Sequence, residues 1–239
     1  MTTNTSLPKC WQKVASALTA GIDRLIILGP SGTGKTYAGL HYGNVMGGAF
    51  RMVCTEDMTN SEVTGNFMPN GKGGWTWVAG SALKAWNGNG TIGGRLVVDE
   101  VDKMSGDVLG TALAMLDSPE SASWEHPETG EIHRPRHGFS AVMTTNIEDV
   151  RELPTALADR FPVRIRIDQP HPDALARLSV DLRGLAVRMA DAGSQRISLR
   201  AFYALDELRS TLPLEEACEI VFGERAGSIM DAMKVDALA

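Results

Sequence analysis

The sequence predicts a doubly wound α/β fold, in which helices cover both faces of a parallel β-sheet, followed by a small helical lid. Short apolar, β-branched runs alternate with helical segments, which is typical of a parallel sheet with crossover helices. Polar residues follow two of these runs, at the sheet edge where ligands bind in such folds. The prolines at 170 and 172 mark a change to helices alone. We therefore expect an α/β core over residues 1–169 and a helical lid over residues 170–239.

A glycine-rich loop follows the first predicted strand, residues 24–28, and precedes a proline-free helical segment, residues 37–46. Residues 29–36 fit the phosphate-binding pattern G-x-x-x-x-G-K-[ST] at every fixed position. Backbone amides at such a strand-to-helix turn can surround a phosphate, while Lys35 reaches the β- and γ-phosphates and Thr36 ligates Mg²⁺. The sequence thus predicts a nucleotide site formed by Gly29, Pro30, Ser31, Gly32, Thr33, Gly34, Lys35 and Thr36.

Two acids and an asparagine end the other buried strands. Residues 95–98 run into Asp99 and Glu100, and residues 139–143 lead to Asn146. In a doubly wound sheet we expect Asp99 to hold Mg²⁺ through its water shell and Glu100 to polarise the attacking water. Asn146 would bind the γ-phosphate or orient water. The structural alternatives are acids that cap the following segment and an ordinary turn asparagine.

Irregular segments interrupt the predicted core in two places. Strand-like residues flank the glycine-rich turn at 69–74, which predicts an inserted hairpin within residues 62–80. It is either a loop with its tryptophans packed on the core or a substrate-facing finger. A second excursion, residues 119–138, has its predicted turn at Thr129 and Gly130. Its histidines 126, 133 and 137 do not favour a metal site, because nearby prolines exclude one helical face and no thiolate is near.

The order of these motifs resembles that of AAA+ ATPases, in the branch of MoxR-like, NorQ/CbbQ-like, dynein-like and McrB-like modules. The resemblance covers residues 18–205. Its landmarks are the glycine loop (Walker A), residues 96–103 (Walker B), residues 144–146 (sensor one), residues 158–161 (arginine finger) and residues 198–201 (sensor two). That branch also carries an insertion in its second helix and a hairpin before sensor one, corresponding to residues 62–80 and 124–136.

Activity and partners follow from the resemblance alone. It implies ATP and Mg²⁺ as cofactors, and a homo-oligomer, commonly a hexameric ring, that uses hydrolysis to remodel a protein client. In MoxR-like relatives the partner often bears a von Willebrand factor A domain. Arg160 would enter a neighbouring subunit's site, and Arg200 would contact the γ-phosphate from the lid of its own subunit. The structural alternative for Arg160 is a surface ion pair with Asp159.

The predicted lid begins after a last core strand, residues 163–167. Apolar residues at 175, 178, 182, 185 and 189 recur at helical spacing and indicate one packing face. Ser198 is a predicted N-cap of the next helix, Pro213 separates it from a third, and residues 224–235 form a fourth.

Composition narrows the function classes. The 239 residues are 43% hydrophobic and 22% charged, as in ordinary globular proteins. The net charge of −6 disfavours an extended electrostatic interface with nucleic acid. A motor subunit of a nucleic-acid-processing assembly remains the alternative to a protein remodeller. A small-metabolite kinase would not need Asn146 or Arg160, and Glu100 speaks against a non-hydrolysing switch. Three widely spaced cysteines suit reduced thiols. Residues 1–8 lack an apolar targeting region and no apolar run is long enough to span a membrane, so we expect a cytoplasmic protein.

Overall fold

The computed structural model describes residues 7–104, 106–190 and 192–237. The N-terminal residues 1–6, for which the sequence predicts no targeting signal, lie outside these ranges. The chain divides into two compact units. The α/β unit comprises Lys13–Gly29 and Lys35–Arg166, and the helical unit comprises residues 1–12, 30–34 and 167–239, so far as they are described.

The strands and helices follow the predicted order. The strands are β1 (Arg24–Leu28), β2 (Ala49–Val53), β3 (Gly65–Pro69), β4 (Trp75–Ala79), β5 (Arg95–Asp99), β6 (Trp124–Glu125), β7 (Ile132–His133), β8 (Ser140–Thr145) and β9 (Val163–Arg166). The α-helices are α1 (Lys9–Thr19), α2 (Lys35–His41), α3 (Asn60–Val63), α4 (Ser81–Asn87), α5 (Gly106–Met115), α6 (Thr155–Arg160), α7 (Pro172–Ala176), α8 (Val180–Ala190), α9 (Leu199–Leu208), α10 (Leu214–Phe222) and α11 (Ala226–Ala237).

Within the described residues, the α/β unit is built on a five-stranded sheet in the order β2-β5-β8-β1-β9. Every neighbouring pair in it is parallel, as predicted. Strands β1 and β5 are buried along their whole length, which explains their continuous apolar sequences. Leu28 pairs with Thr145, and Val98 pairs with Met143. The carboxyl ends of β1, β5 and β8 therefore meet at one edge of the sheet.

The predicted helix at 37–46 is shorter in the structure and ends at His41. Gly43 follows with φ 68°, a left-handed conformation that ends helices and that glycine adopts without a steric penalty. No helix among the described residues has both the length and the apolar content needed to cross a bilayer.

Both predicted hairpins are present in the α/β unit. Strands β3 and β4 pair with Phe67 opposite Trp77, and β6 and β7 pair with Trp124 opposite His133. The hairpins contact each other through their rings, with the centroids of Trp77 and Trp124 5.3 Å apart. Trp75, in contrast, is 68% exposed. One tryptophan of the first hairpin thus packs inward, and the other faces solvent.

The helical unit has its own apolar core, to which Leu182, Leu185, Phe202 and Leu205 contribute. The apolar repeat from 175 to 189 predicts one continuous helical face, but the structure divides it into α7 and α8. The break has a tertiary cause, because the backbone amide of Ser179 donates to the Asp206 carboxylate at 2.7 Å.

Other predicted features of the helical unit match the structure. The Ser198 hydroxyl caps α9 by accepting a hydrogen bond from the Ala201 amide, and Pro213 directly precedes α10. The fourth predicted helix corresponds to α11.

Candidate nucleotide-binding site

Lys35 and Asn146 meet at the carboxyl edge of the sheet. Lys35 begins α2, directly beyond the glycine loop, and its side chain is buried. Its Nζ donates to the backbone oxygen of Gly29 at 2.7 Å and to Asn146 Oδ1 at 3.0 Å. Asn146 follows β8, which neighbours β1 in the sheet. The sheet thus brings together the cation expected to bind phosphate and the amide expected to sense it.

Thr36 and Asp99 form the second pair at this edge. The Thr36 hydroxyl donates to Asp99 Oδ1 at 2.7 Å, and the Thr144 hydroxyl donates to the same oxygen. Arg51, on β2, forms an ion pair with the other oxygen, Oδ2. Burial alone would raise the pKa of Asp99, but hydrogen bonds from Thr144, Arg51 and Thr36 outweigh it and hold that pKa below its usual value. Asp99 is therefore an anion at neutral pH.

The oxygens of Thr36 and Asp99 suit Mg²⁺, which prefers hard oxygen ligands and is commonly held by one or two protein groups together with substrate phosphates. Across the described ranges, no three His, Cys, Asp or Glu side chains are grouped so as to hold a metal by themselves. The donor set fits an ion that arrives with a nucleotide, with Thr36 and Asp99 as its protein ligands.

Glu100 has an unusual backbone. Among the described non-glycine residues it alone has a positive φ, 59°, in the left-handed region. Its amide donates to the Thr144 hydroxyl at 3.2 Å, and its carboxylate pairs with Lys103 Nζ at 2.5 Å. Such strain is found where a fold holds a functional side chain in a required position. Asp99 thus ends β5 with its carboxylate bonded to Thr36, and the chain leaves the strand at Glu100 in this left-handed conformation.

The tip of the glycine loop, Pro30–Gly34, belongs to the helical unit. Gly34 has φ 104°, a conformation that strains any residue with a side chain, and a Cβ there would also crowd the indole ring of Trp11 at 3.2 Å. A Cβ on Gly32 would lie 3.4 Å from Cβ of Ser198, the cap of α9. The start of α9 therefore lies beside the loop tip. Arg200, in the first turn of α9, is exposed.

Arg160 is not at this edge. It ends α6 and donates to the Asp117 carboxylate at 2.9 Å, so the predicted alternative of an ion pair with Asp159 is wrong. The backbone oxygen of Asp117 accepts from Arg24, the first residue of β1. Arg160 thus lies at the amino edge of the sheet, while Lys35 follows the carboxyl edge. The five residues of β1 separate the two edges by roughly 13 Å.

The sequence did not predict two partners of Asp99: Arg51, and Thr144, which the resemblance places in the sensor-one segment without a bond to Asp99. Each had a signal, since Arg51 is the charged residue of a strand that pairs with β5, and Thr144 is a polar residue near the end of a buried strand. Neither signal identifies Asp99 as the common partner, because that requires the order of the strands in the sheet.

Solved structures share the fold. Two crystal structures of NtrX from Brucella abortus, one of them in complex with ATP, match with a TM-score of 0.52 and 16% identity. The ATP complex is matched over 82% of this chain and 45% of its own length, and the other over 95% and 48%. This chain therefore spans less than half the length of those structures. A search of curated proteins found no match.

A family model provides the assignment. The model described as AAA domain, dynein-related subfamily, matches residues 24–161, more than half of the chain. The matched range begins at the first residue of β1 and ends just after Arg160, so it contains the glycine loop, Asp99, Glu100 and Asn146. Because this match includes the site residues at the carboxyl edge of the sheet, the chain belongs to the dynein-related subfamily of AAA domains and carries an ATPase domain of that class.

Proposed function

We propose that this chain is one subunit of a homo-oligomeric ring, a hexamer, that couples Mg²⁺-dependent ATP hydrolysis to the remodelling of a protein client, as MoxR-like chaperones do. The observation that carries the ring is the position of Arg160 at the sheet edge opposite Lys35. An arginine there is too far from its own phosphate loop to stabilise the transferred phosphoryl group. In a ring its guanidinium would instead leave Asp117 and serve the site of a neighbouring subunit.

The residues at the carboxyl edge divide the chemistry among them. Lys35 Nζ, now bonded to Asn146 and Gly29, binds the β- and γ-phosphate oxygens of ATP. Asn146 is then released to bind the γ-phosphate or to orient water. Glu100 accepts the proton of the attacking water, and Thr36 and Asp99 hold the metal. A Mg²⁺ ion held by these two residues would supply positive charge that neutralises the nucleotide phosphates.

The two arginines act on the same developing charge. Arg160 donates to the γ-phosphate oxygens of a neighbour's ATP, where a planar guanidinium can form two parallel hydrogen bonds. Arg200 lies in the first turn of α9, and that turn begins beside Gly32 of the loop tip. It contacts the γ-phosphate from within its own chain. Asp117 holds Arg160 in the absence of a neighbour, at a distance of 2.9 Å.

Exposed apolar side chains on the two hairpins support a protein client. Met68, Trp75 and Ile132 are 47%, 68% and 62% exposed, which leaves their apolar surface open to a client. We assign these positions to client contact. A von Willebrand factor A domain as the client's recognition module rests on the resemblance to MoxR-like proteins alone.

Subunit mixing tests the ring. Arg160→Ala and Lys35→Ala, each inactive alone, should regain measurable ATPase activity when mixed, because a ring pairs an intact Lys35 pocket with a neighbour's intact Arg160. Lys35→Ala mixed with Glu100→Gln is the matched control. Both changes affect the same pocket, so no pairing of these two subunits gives a complete site and no activity should return. The absence of recovery in demonstrably mixed oligomers, or full wild-type activity in a monomer, would overturn the ring.

Nucleic acid distinguishes the protein remodeller from a motor. With a net charge of −6, the chain offers few phosphate contacts, so neither DNA nor RNA should raise its ATPase rate. A several-fold stimulation that disappears at high salt would instead support a nucleic-acid motor.

A further inference from the structure

The carboxylate of Asp99 accepts hydrogen bonds on both oxygens from four donor groups. Oδ1 accepts from the hydroxyls of Thr36 and Thr144, and Oδ2 accepts from Nε and Nη2 of Arg51. A carboxylate has about four lone-pair sites, so these donors satisfy it completely. Asp99 can bind a metal or its water shell only after one donor leaves.

Arg51 is the donor that can leave at the lowest cost. Its side chain is 50% exposed, whereas that of Asp99 is 7% exposed. Water can solvate the guanidinium as soon as the ion pair opens. Thr144 is buried in β8, and its hydroxyl also accepts a hydrogen bond from the Glu100 amide, so its departure would disturb the catalytic residue as well. Thr36 is itself an expected ligand of the metal.

Charge also favours the exchange. The guanidinium of Arg51 and a hydrated Mg²⁺ would compete for the same carboxylate, and two cations held by one carboxylate repel each other. Arg51 therefore weakens the binding of the metal, because the free energy of its ion pair with Asp99 must be given up before the metal can bind. Arg51 donates through both Nε and Nη2 to this one oxygen, and each of these hydrogen bonds is charge-assisted.

We propose that Arg51 is a displaceable counter-ion of Asp99. Its guanidinium pairs with Oδ2 of Asp99, and Arg51 would leave this oxygen when Mg²⁺ binds together with the nucleotide. The inference rests on the proposed function, because it takes the metal to be the one that accompanies ATP. Arg51 is a positioning residue in this scheme. It sets the Mg²⁺ concentration at which the site fills and takes no part in bond breaking.

The test is Mg²⁺-dependent binding of a fluorescent ADP analogue, followed by anisotropy, so that hydrolysis does not enter the measurement. Arg51→Gln removes the competing cation and should lower the half-saturating Mg²⁺ concentration roughly three- to tenfold, the range for a partly exposed ion pair. Affinity for the analogue in EDTA should stay unchanged. Arg51→Lys keeps the charge with a single donor group and should give an intermediate shift.

The matched control is Arg151→Gln. Arg151 also donates with Nε and Nη2 to one carboxylate oxygen, that of Asp149, but Asp149 is not a site residue. Its removal should leave the Mg²⁺ dependence unchanged. Melting temperatures without ligand should show that all variants are folded.

The outcomes separate the two proposals. An Arg51→Gln midpoint that is unchanged or higher than that of the wild type would overturn the displacement, since Arg51 would then be neutral or supportive toward the metal. An equal shift in Arg151→Gln would overturn it too. A wild-type protein that binds no nucleotide at any Mg²⁺ concentration would overturn the proposed function itself.

Discussion

The ammonium nitrogen of Lys35 lies 3.0 Å from the side-chain oxygen of Asn146, although 111 residues separate them in the chain. An amide oxygen here takes the place of an acceptor that ATP would supply. If a phosphate oxygen of ATP replaced this acceptor, Asn146 would be released. The side chain directly after β8 would then change its partner when the γ-phosphate binds.

This contact predicts different losses for its two members. Lys35→Ala should abolish nucleotide binding, because Lys35 contacts the phosphates in the ground state, whereas Asn146→Ala should bind ATP and lose roughly 10²- to 10³-fold in turnover. Calorimetric titration with ATP and steady-state phosphate release measure the two effects. If Asn146→Ala lost binding to the same extent as Lys35→Ala, the separate role of Asn146 would be wrong.

Glu100→Gln should bind ATP with near wild-type affinity and hydrolyse it about 10²- to 10⁴-fold more slowly, because an amide cannot accept the proton of the attacking water. Single-turnover assays with prebound ATP measure the chemical step alone. Asp102→Asn is a suitable control: Asp102 accepts from Thr145 at 2.6 Å, so it is a nearby acid of a different role. Turnover retained in Glu100→Gln would exclude Glu100 as the base.

The lowered pKa of Asp99 predicts that the protein loses part of its free energy of unfolding at acidic pH. The folded-state pKa of Asp99 lies below the ordinary value of 3.8, so its contribution to the free energy of unfolding is fully present above that pH and is lost as the pH falls through the folded pKa. The difference in unfolding free energy between wild type and Asp99→Asn should be constant near neutrality and should shrink below pH 3.8. Urea titrations over a pH series measure it. A difference that grows on acidification would contradict the depressed pKa.

The three cysteines should be unreactive in the native protein. All are buried and free, and burial, reinforced by nearby acids that include Asp99, raises the pKa of Cys54 to about 12. The thiolate is the reactive form, so a thiol reagent at mildly alkaline pH should label none of them before unfolding and all three in denaturant. Rapid native labelling of Cys54 would show that the end of β2 opens.

Local patterns predicted the elements of this chain better than their side-chain partners. The strand, loop and helix around Lys35, the two acids at the end of β5 and the cap at Ser198 all depend on neighbouring residues, so the sequence indicates them directly. The pair of Arg160 and Asp117 joins residues 43 positions apart, and the break before Ser179 depends on Asp206, 27 positions away. Such contacts depend on how elements pack, which the spacing of residues along the chain does not encode.

The left-handed backbone at Glu100 also bears on how this position would evolve. That conformation costs a residue with a Cβ about 1–2 kcal/mol, whereas glycine adopts it freely and asparagine more easily than most. Mutational drift under selection for stability alone would favour glycine at position 100 over glutamate. Lineages that keep the fold but abandon hydrolysis should therefore lose this glutamate early, and its substitution by glycine or asparagine among relatives would mark them as nucleotide binders without turnover.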